Sequence, residues 1–229
     1  MQKGFSSRRR LNDIGDRKMP KLTDTLHLDM LKSAIRNRQP ESDGLYGLHW
    51  GDPEKHPALM VIRDKWLRPY VRSDHSAIEI GPGGGRWTRY MLPFHRIYAV
   101  DYHQELLEEL KKHFSQPNIV FIKNNGTDFP GIAERSVDFL YSFGVFVHLD
   151  TDIIRDYLLN IRKVLKPSGN AIIQYSGKDK QAAIDSKGFS ENNPRIMRKL
   201  LSETGYIIVE EDTKLLWHSS IVRFTYENS

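Results

Sequence analysis

The sequence predicts an α/β protein: a seven-stranded, mostly parallel sheet with an antiparallel last strand, helices on both faces and a helical N-terminal cap. Three observations carry that expectation. From residue 76 onward, short apolar segments alternate with longer helical ones, the rhythm of a parallel sheet covered on both sides. The first apolar segment runs into "GPGGG" (81–85), a glycine-rich loop at the strand end where open α/β sheets receive ligands. The last two apolar segments are separated only by "TKLLWHS" (213–219), too little for a crossover helix, so they return on each other.

The elements follow in order. Residues 1–20 form a basic tail with six Lys or Arg against two Asp, which supplies +4 of the chain's +5 net charge. The tail reads either as a contact for an anionic partner or as a solvated or processed leader; no apolar stretch follows its charges as a secretory signal requires. Residues 21–75 form the cap or lid. Leu22, Leu26, Met30 and Ile35 recur at helical spacing, a Gly/Pro-punctuated loop carries Tyr46, His49 and Trp50, and "ALMVIRDKWLRPYV" (58–71) is a second helical segment. The core, 76–229, has strands at 76–80, 96–101, 118–123, 136–143, 170–176, 206–212 and 220–226. Helices are expected within 102–114, 152–165 and 191–205, with another opening near Arg86.

Composition removes several classes. The chain is 229 residues long and 39% hydrophobic, enough to bury a full core as one domain. It has no Cys, which excludes disulfides, thiolate nucleophiles and Cys-based metal sites and fits a cytoplasmic protein. No apolar run approaches the ~20 residues of a spanning helix, so no membrane insertion is expected. Outside the tail the charge is nearly balanced, which argues against a nucleic-acid surface. Oligomeric state is left open.

The glycine loop has two readings, a ligand cradle or a bare tight turn. Glycine accepts positive φ and lets a ligand or another backbone approach closely, at a cost in chain entropy that favours the first reading. The loop is not a dinucleotide fingerprint: counted from Gly81, its third glycine position holds Arg86; counted from Gly83, it holds Thr88. It is not a P-loop either, since Gly-Lys-Ser/Thr is absent. Glu79, at the strand end, repels phosphate and attracts a cation or ammonium group.

Asp101 ends the second strand 22 residues after Glu79, the separation at which an acidic side chain meets an adenosine ribose; the other reading is a helix N-cap. In "NNGTDFP" (124–130), Asp128 has the acceptor chemistry for an amino proton and Phe129 borders it, although the same residues make ordinary turns. "SFGVFVHL" (142–149) places Phe143, Phe146 and His148 at the same sheet edge, and "LKPSGNAII" (165–173) reads as a helix end, a turn and a central strand.

Taken together, "EIGPGGG", the "VD" at Asp101, Asp128 and "LKPSGNAII" resemble the class I, seven-stranded S-adenosylmethionine-dependent methyltransferases over about residues 76–226. The resemblance implies S-adenosyl-L-methionine as cofactor. It implies that Glu79, Gly81, Gly83 and Gly85 face the methionine part, Asp101 the ribose and Asp128 the adenine, with Phe129 or Val145 against the adenosine. It further implies a seventh strand inserted antiparallel between the fifth and sixth.

The acceptor follows less directly. A hydroxyl acceptor needs a base, and His148 follows the fourth strand beside the expected methyl, with His49 as second candidate and a structural His as the rival reading. Tyr46, Trp50 and Phe146 are the candidate substrate contacts. The N/D-P-P-Y/F signature of nucleic-acid methyltransferases is replaced by "YSFG" (141–144). No metal is expected: His148 and Asp150 make half a site, and nothing in the spacing brings His218 to them. The favoured reading is methyl transfer to a small-molecule acceptor, at a hydroxyl oxygen. Protein or peptide methylation and noncatalytic S-adenosylmethionine binding are the alternatives.

Overall fold

The computed structural model describes residues 47–186 and 188–227, without the side chain of His49. The basic tail, residues 21–46 of the expected cap and the candidate Tyr46 lie outside the described residues, as does the His49 side chain.

Seven strands make one sheet: β1 (Ser76–Ile80), β2 (Arg96–Asp101), β3 (Ile119–Lys123), β4 (Val137–Ser142), β5 (Leu165–Ser176), β6 (Ile207–Asp212) and β7 (Ser219–Thr225). Their order is β3-β2-β1-β4-β5-β7-β6. Neighbours among β1 to β5 pair in parallel, and β7 runs antiparallel to both β5 and β6. The expected sheet and its reversed, inserted last strand are therefore both present. From β1 the chain works outward through β2 to β3, then crosses to β4 on the other side. The β1/β4 junction is thus the point where strand order reverses, and a crevice opens there.

Alternation along the strands supplies two cores. Ile78 and Ile80 of β1 face a cluster completed by Ile154, Tyr157, Leu158 and Ile161 of α4 (Thr151–Val164) and by Met197, Leu200 and Leu201 of α6 (Pro194–Glu203). Ala77 faces the opposite cluster with Phe139, Tyr141 and Ile172. Three segments close that second face: Leu59, Ile62, Trp66 and Leu67 from the preface, Met91 from α2 (Thr88–Met91), and Leu110 from α3 (Gln104–His113). The preface is helical over α1 (Pro57–Val61), a π-helical stretch (Ile62–Leu67) and a 3-10 turn (Arg68–Tyr70), where Pro69 stops it. Its buried residues share one cluster with the strands, so this part of the expected cap is a layer of the sheet. A short α5 (Gln181–Ile184) follows β5. Helix α6 starts where Asn193 Oδ1 accepts from Ile196 N at 3.1 Å and Pro194 takes the first helical position.

Two local expectations change. The helix expected near Arg86 begins at Thr88, because positive φ at Gly81, Gly83 and Gly85 keeps residues 83–87 in turns. The "KPSG" turn does not separate α4 from β5. It is a bulge inside β5, with Ser168 at φ 65 and the pairing to β4 jumping from Val137↔Leu165 to Phe139↔Asn170. Among the described residues, no helix is long and apolar enough to cross a membrane.

Candidate active site

The site is built at the β1/β4 junction. Gly81 follows β1 and donates its N–H to Val100 O at 2.8 Å; Ser142 Oγ, ending β4, donates to Ile80 O at 3.0 Å. These bonds bring the loops after β1, β2 and β4 to one rim. A Cβ on Gly81 would lie 2.1 Å from Val145 Cγ2, so the loop after β4 approaches a bare backbone that no side chain permits. Gly85 has a different use: a Cβ there would lie 2.0 Å from the Phe114 ring. That glycine lets Phe114, the residue after α3, pack against the loop, and it is not a wall of the cavity.

That cavity measures about 810 Å³. Of the sequence candidates, Gly81, Gly83, Asp101, Val145, His148 and Trp50 line it. Asp101 is buried, and one of its oxygens accepts from His103 N at 2.8 Å. Burial pushes its carboxyl up to about 7, against the lowering effect of the His103 and Tyr102 N–H groups. Glu79 lies beneath the glycine loop, where its Oε2 accepts from Thr88 Oγ1 at 2.6 Å. Burial raises it to about 7 as well. It holds the loop to α2 and is not among the lining residues.

Other candidates stand elsewhere. Asp128 closes its own turn, its Oδ1 accepting from Asn125 N at 2.8 Å, and Phe129 packs in the core beside Tyr157. Their turn is tied to the rim indirectly: Asn124 N donates to Asp101 O at 3.0 Å, and Asn124 Nδ2 to Tyr157 Oη, also at 3.0 Å. Phe146, expected at the open edge, is fully buried against Tyr157 instead, because the turn after Gly144 directs it into the core while Val145 and His148 face the cavity.

His148 Nδ1 lies 2.7 Å from the carbonyl of Gly188. A carbonyl only accepts, so Nδ1 carries the proton and Nε2 the lone pair. Burial lowers this imidazole below its usual value, against the Gly188 carbonyl, which raises it. The ring is neutral at pH 7.

Several wall residues carried no clear mark in the sequence. Tyr102 and His103 follow Asp101; Arg86 and Trp87 leave the glycine loop; Phe189, Trp217 and His218 come from chain segments after β5 and β6. Gln174 is the exception, a polar residue inside the apolar run of β5. Its Oε1 accepts from Gly144 N at 2.7 Å and its Nε2 donates to Ser219 Oγ at 2.7 Å, which joins the loop after β4 to the start of β7. Among the described residues, no group of three or more His, Cys, Asp or Glu is placed to hold a metal ion.

Residues 77–169, from β1 through the β5 bulge, match the family model described as "Methyltransferase domain". Over those residues the chain is similar to methyltransferase domains. The match is to an enzyme domain of methyl transfer. Solved structures of the same fold include the DhpI–SAH complex, at 16% identity over 88% of this chain and 96% of that one, with a TM-score of 0.64. An S-adenosylmethionine-dependent methyltransferase from Mesorhizobium loti aligns at 12% identity, covering 75% of this chain and 99% of that one, with a TM-score of 0.62. One from Aquifex aeolicus aligns at 16%, covering 86% and 96%, with a TM-score of 0.58. At these identities the likeness is one of fold. No curated protein matches the chain in sequence.

Proposed function

We propose that this chain takes a methyl group from S-adenosyl-L-methionine and transfers it to a small-molecule acceptor, at a hydroxyl oxygen, with His148 as base. The observation that carries the reading is a single cavity joining Asp101 and the Gly81–Gly83 wall to His148. One space then holds donor and acceptor together, and aligning two reactants is worth up to ~7–11 kcal/mol of the barrier.

The residues present fit the donor. Asp101 is desolvated and has acceptor capacity beyond its bond from His103, so a pair of ribose hydroxyls supplies what burial has removed. Glu79 acts by bracing the loop through Thr88, and Gly81 and Gly83 hold the wall close. Gly85 contributes through its packing on Phe114. Asp128 and Phe129 act at the adenine end through the Asn124–Tyr157 link, and Val145 borders the adenosine. When bound, the cofactor supplies an electrophilic methyl on a sulfonium.

Three features support the acceptor assignment. The Gly188 carbonyl fixes the His148 tautomer whose Nε2 accepts a proton. Asp101 is the only carboxylate among the described wall residues, so nothing there receives the cationic amine of a lysine-type acceptor. The remaining wall is largely apolar and aromatic, as small-molecule sites are. Residues 47–56 reach over the cavity through Trp50, Gly51 and His56, and are tied down by Arg89–Asp52 (2.5 Å) and Tyr90 Oη–Glu54 (2.7 Å). We assign this stretch, with Tyr46 and His49, to a lid over the acceptor, preceded by the basic tail, in a cytoplasmic enzyme. His49 is the reserve base. The test is mass spectrometry of products from pooled small molecules, with peptides as the competing pool. Methylated hydroxyl compounds with matching S-adenosylhomocysteine support the assignment; methylation confined to peptides overturns it.

A further inference from the structure

Two tryptophans stand exposed on the wall of the cavity, each brought there by a different part of the chain. Trp217, in the return between β6 and β7, is 70% exposed, and Trp50, ahead of α1, is 44% exposed. Both line the cavity. Among the described residues, the other large apolar side chains left exposed are aliphatic, and none of them lines it. Single apolar side chains scattered over a surface are ordinary, whereas two indoles on one cavity form a patch with a place to be covered.

The exposure of Trp217 is held by its frame. Asp212 Oδ1 accepts from Lys214 N at 2.7 Å and from Leu215 N at 2.8 Å, which turns the chain at the end of β6. Lys180 Nζ donates to the carbonyls of Leu216 (2.7 Å) and Ser219, and Gly177 N donates to the His218 carbonyl at 3.2 Å. Leu216 is buried in the cluster that holds Phe143 and Ile221. The return is therefore fixed on both sides of an indole that stays in water, although a tryptophan side chain gains much from being covered. Inward from it the wall stays aromatic. Trp217 meets His218 edge to face with centroids 4.9 Å apart, and His218 meets Phe189 in the same way at 5.2 Å.

We propose that Trp217 is the specificity-determining residue at the acceptor end, where its open indole stacks on a planar aromatic acceptor. This rests on the small-molecule reading above and does not depend on which atom is methylated or on His148. A flat ring system has few internal rotations to lose on binding and covers an indole over a wide area by offset stacking. A polyhydroxylated ring would set its hydroxyls against Phe189, Leu216 and the indole face, where they find no partners. A flexible aliphatic chain would lose rotor freedom and gain no stacking.

The origin of the wall residues fits that division of labour. Asp101, Gly81 and Gly83, to which the donor is assigned, come from the loops after β1 and β2. Phe189, Leu216 and Trp217 come from segments after β5 and β6 and line the same cavity. An occupant that touches Trp217 therefore shares one space with the donor, and its recognition uses loops that the donor does not need.

The test uses the full chain with nitrogen-labelled tryptophan, loaded with S-adenosylhomocysteine. It is titrated with quinoline, a flat neutral probe without a hydroxyl, and separately with cyclohexanol, a puckered one. The chain has four Trp, so the Trp217 indole resonance is read beside three internal references. Quinoline should shift it saturably, and cyclohexanol should leave it in place. Trp217→Ala should weaken quinoline binding about 3- to 10-fold, the scale of one aromatic pair, with S-adenosylhomocysteine affinity within about 2-fold. Trp217→Phe, which keeps a ring, should recover most of that loss. The side chain is 70% exposed, so removing it opens no cavity in the core. A Trp217 resonance that quinoline does not move, an equal response to cyclohexanol, or unchanged quinoline affinity in Trp217→Ala overturns the proposal. Turnover separates it from the reading beneath it. Methylated products that are small but not aromatic remove this inference and leave the small-molecule reading standing; products confined to peptides remove both.

Discussion

Asp101 is where the account is most exposed at the residue scale. Its folded value, pushed up to about 7, lies above the ordinary ~3.9, so the native state holds the proton more tightly than the unfolded chain. Stability of the ligand-free protein therefore falls as pH rises from about 4 to about 7, and Glu79 adds to the same trend. Ribose hydroxyls favour the ionised form, so ligand binding expels a proton. Calorimetry of S-adenosylhomocysteine at pH 6.5, in buffers of different ionisation heat, should show proton release that Asp101→Asn reduces. Asp101→Ala should cost about 1–3 kcal/mol of binding. An unchanged affinity with an unchanged proton count contradicts the ribose assignment. For His148 the sign is opposite: its value is lowered, so turnover should be flat near neutrality and fall on an acid limb below pH 6.5. His148→Ala should lower kcat about 10²–10⁴-fold and remove that limb, with cofactor affinity retained. A surviving acid limb would move the base to His49.

At the scale of elements, the glycine loop separates backbone strain from packing. Gly85 and Gly131 both hold positive φ, 97 and 77, but a Cβ at Gly131 meets nothing within 4 Å while one at Gly85 meets the Phe114 ring at 2.0 Å. Gly131→Ala should cost only the left-handed backbone term, about 1–2 kcal/mol. Gly85→Ala adds overpacking of about 1–3 kcal/mol and should lower Tm by several degrees more in thermal melts. Equal melting shifts would mean that Phe114 moves aside freely. The same loop marks how far the sequence was legible. Strands β1 and β2 are plain in it because "SAIEI" and "RIYAVD" are compact apolar runs bounded by polar turns. Which glycine serves the cavity and which serves packing depends on Val145 and Phe114, brought there by the crossovers and invisible in local spacing. The β5 bulge was hidden for a related reason. "KPSG" has turn chemistry, and only pairing with Val137 on one side and Phe139 on the other keeps it within the strand.

At the scale of the whole molecule, the loops at the β1/β4 reversal and the β6–β7 return line one cavity, to which the proposal assigns both donor and acceptor. The topology was legible because the final strand pair lacks a helix. His218 was not, since only insertion of β7 beside β5 carries it into the cavity wall that His148 also lines. Phe146 was misplaced because the sequence marks the edge but not which residues of the turn face inward. The central claim is that this cavity transfers a methyl group to a small hydroxyl acceptor, and one measurement reaches it directly. The full chain is incubated with methyl-labelled S-adenosylmethionine and pooled small molecules, peptides and nucleic acid, and every labelled product is identified by mass spectrometry. The account predicts label on the oxygen of a small molecule, in amounts matching the S-adenosylhomocysteine released. Label found on nitrogen, in peptides or in nucleic acid, with none on a small-molecule oxygen, would contradict it.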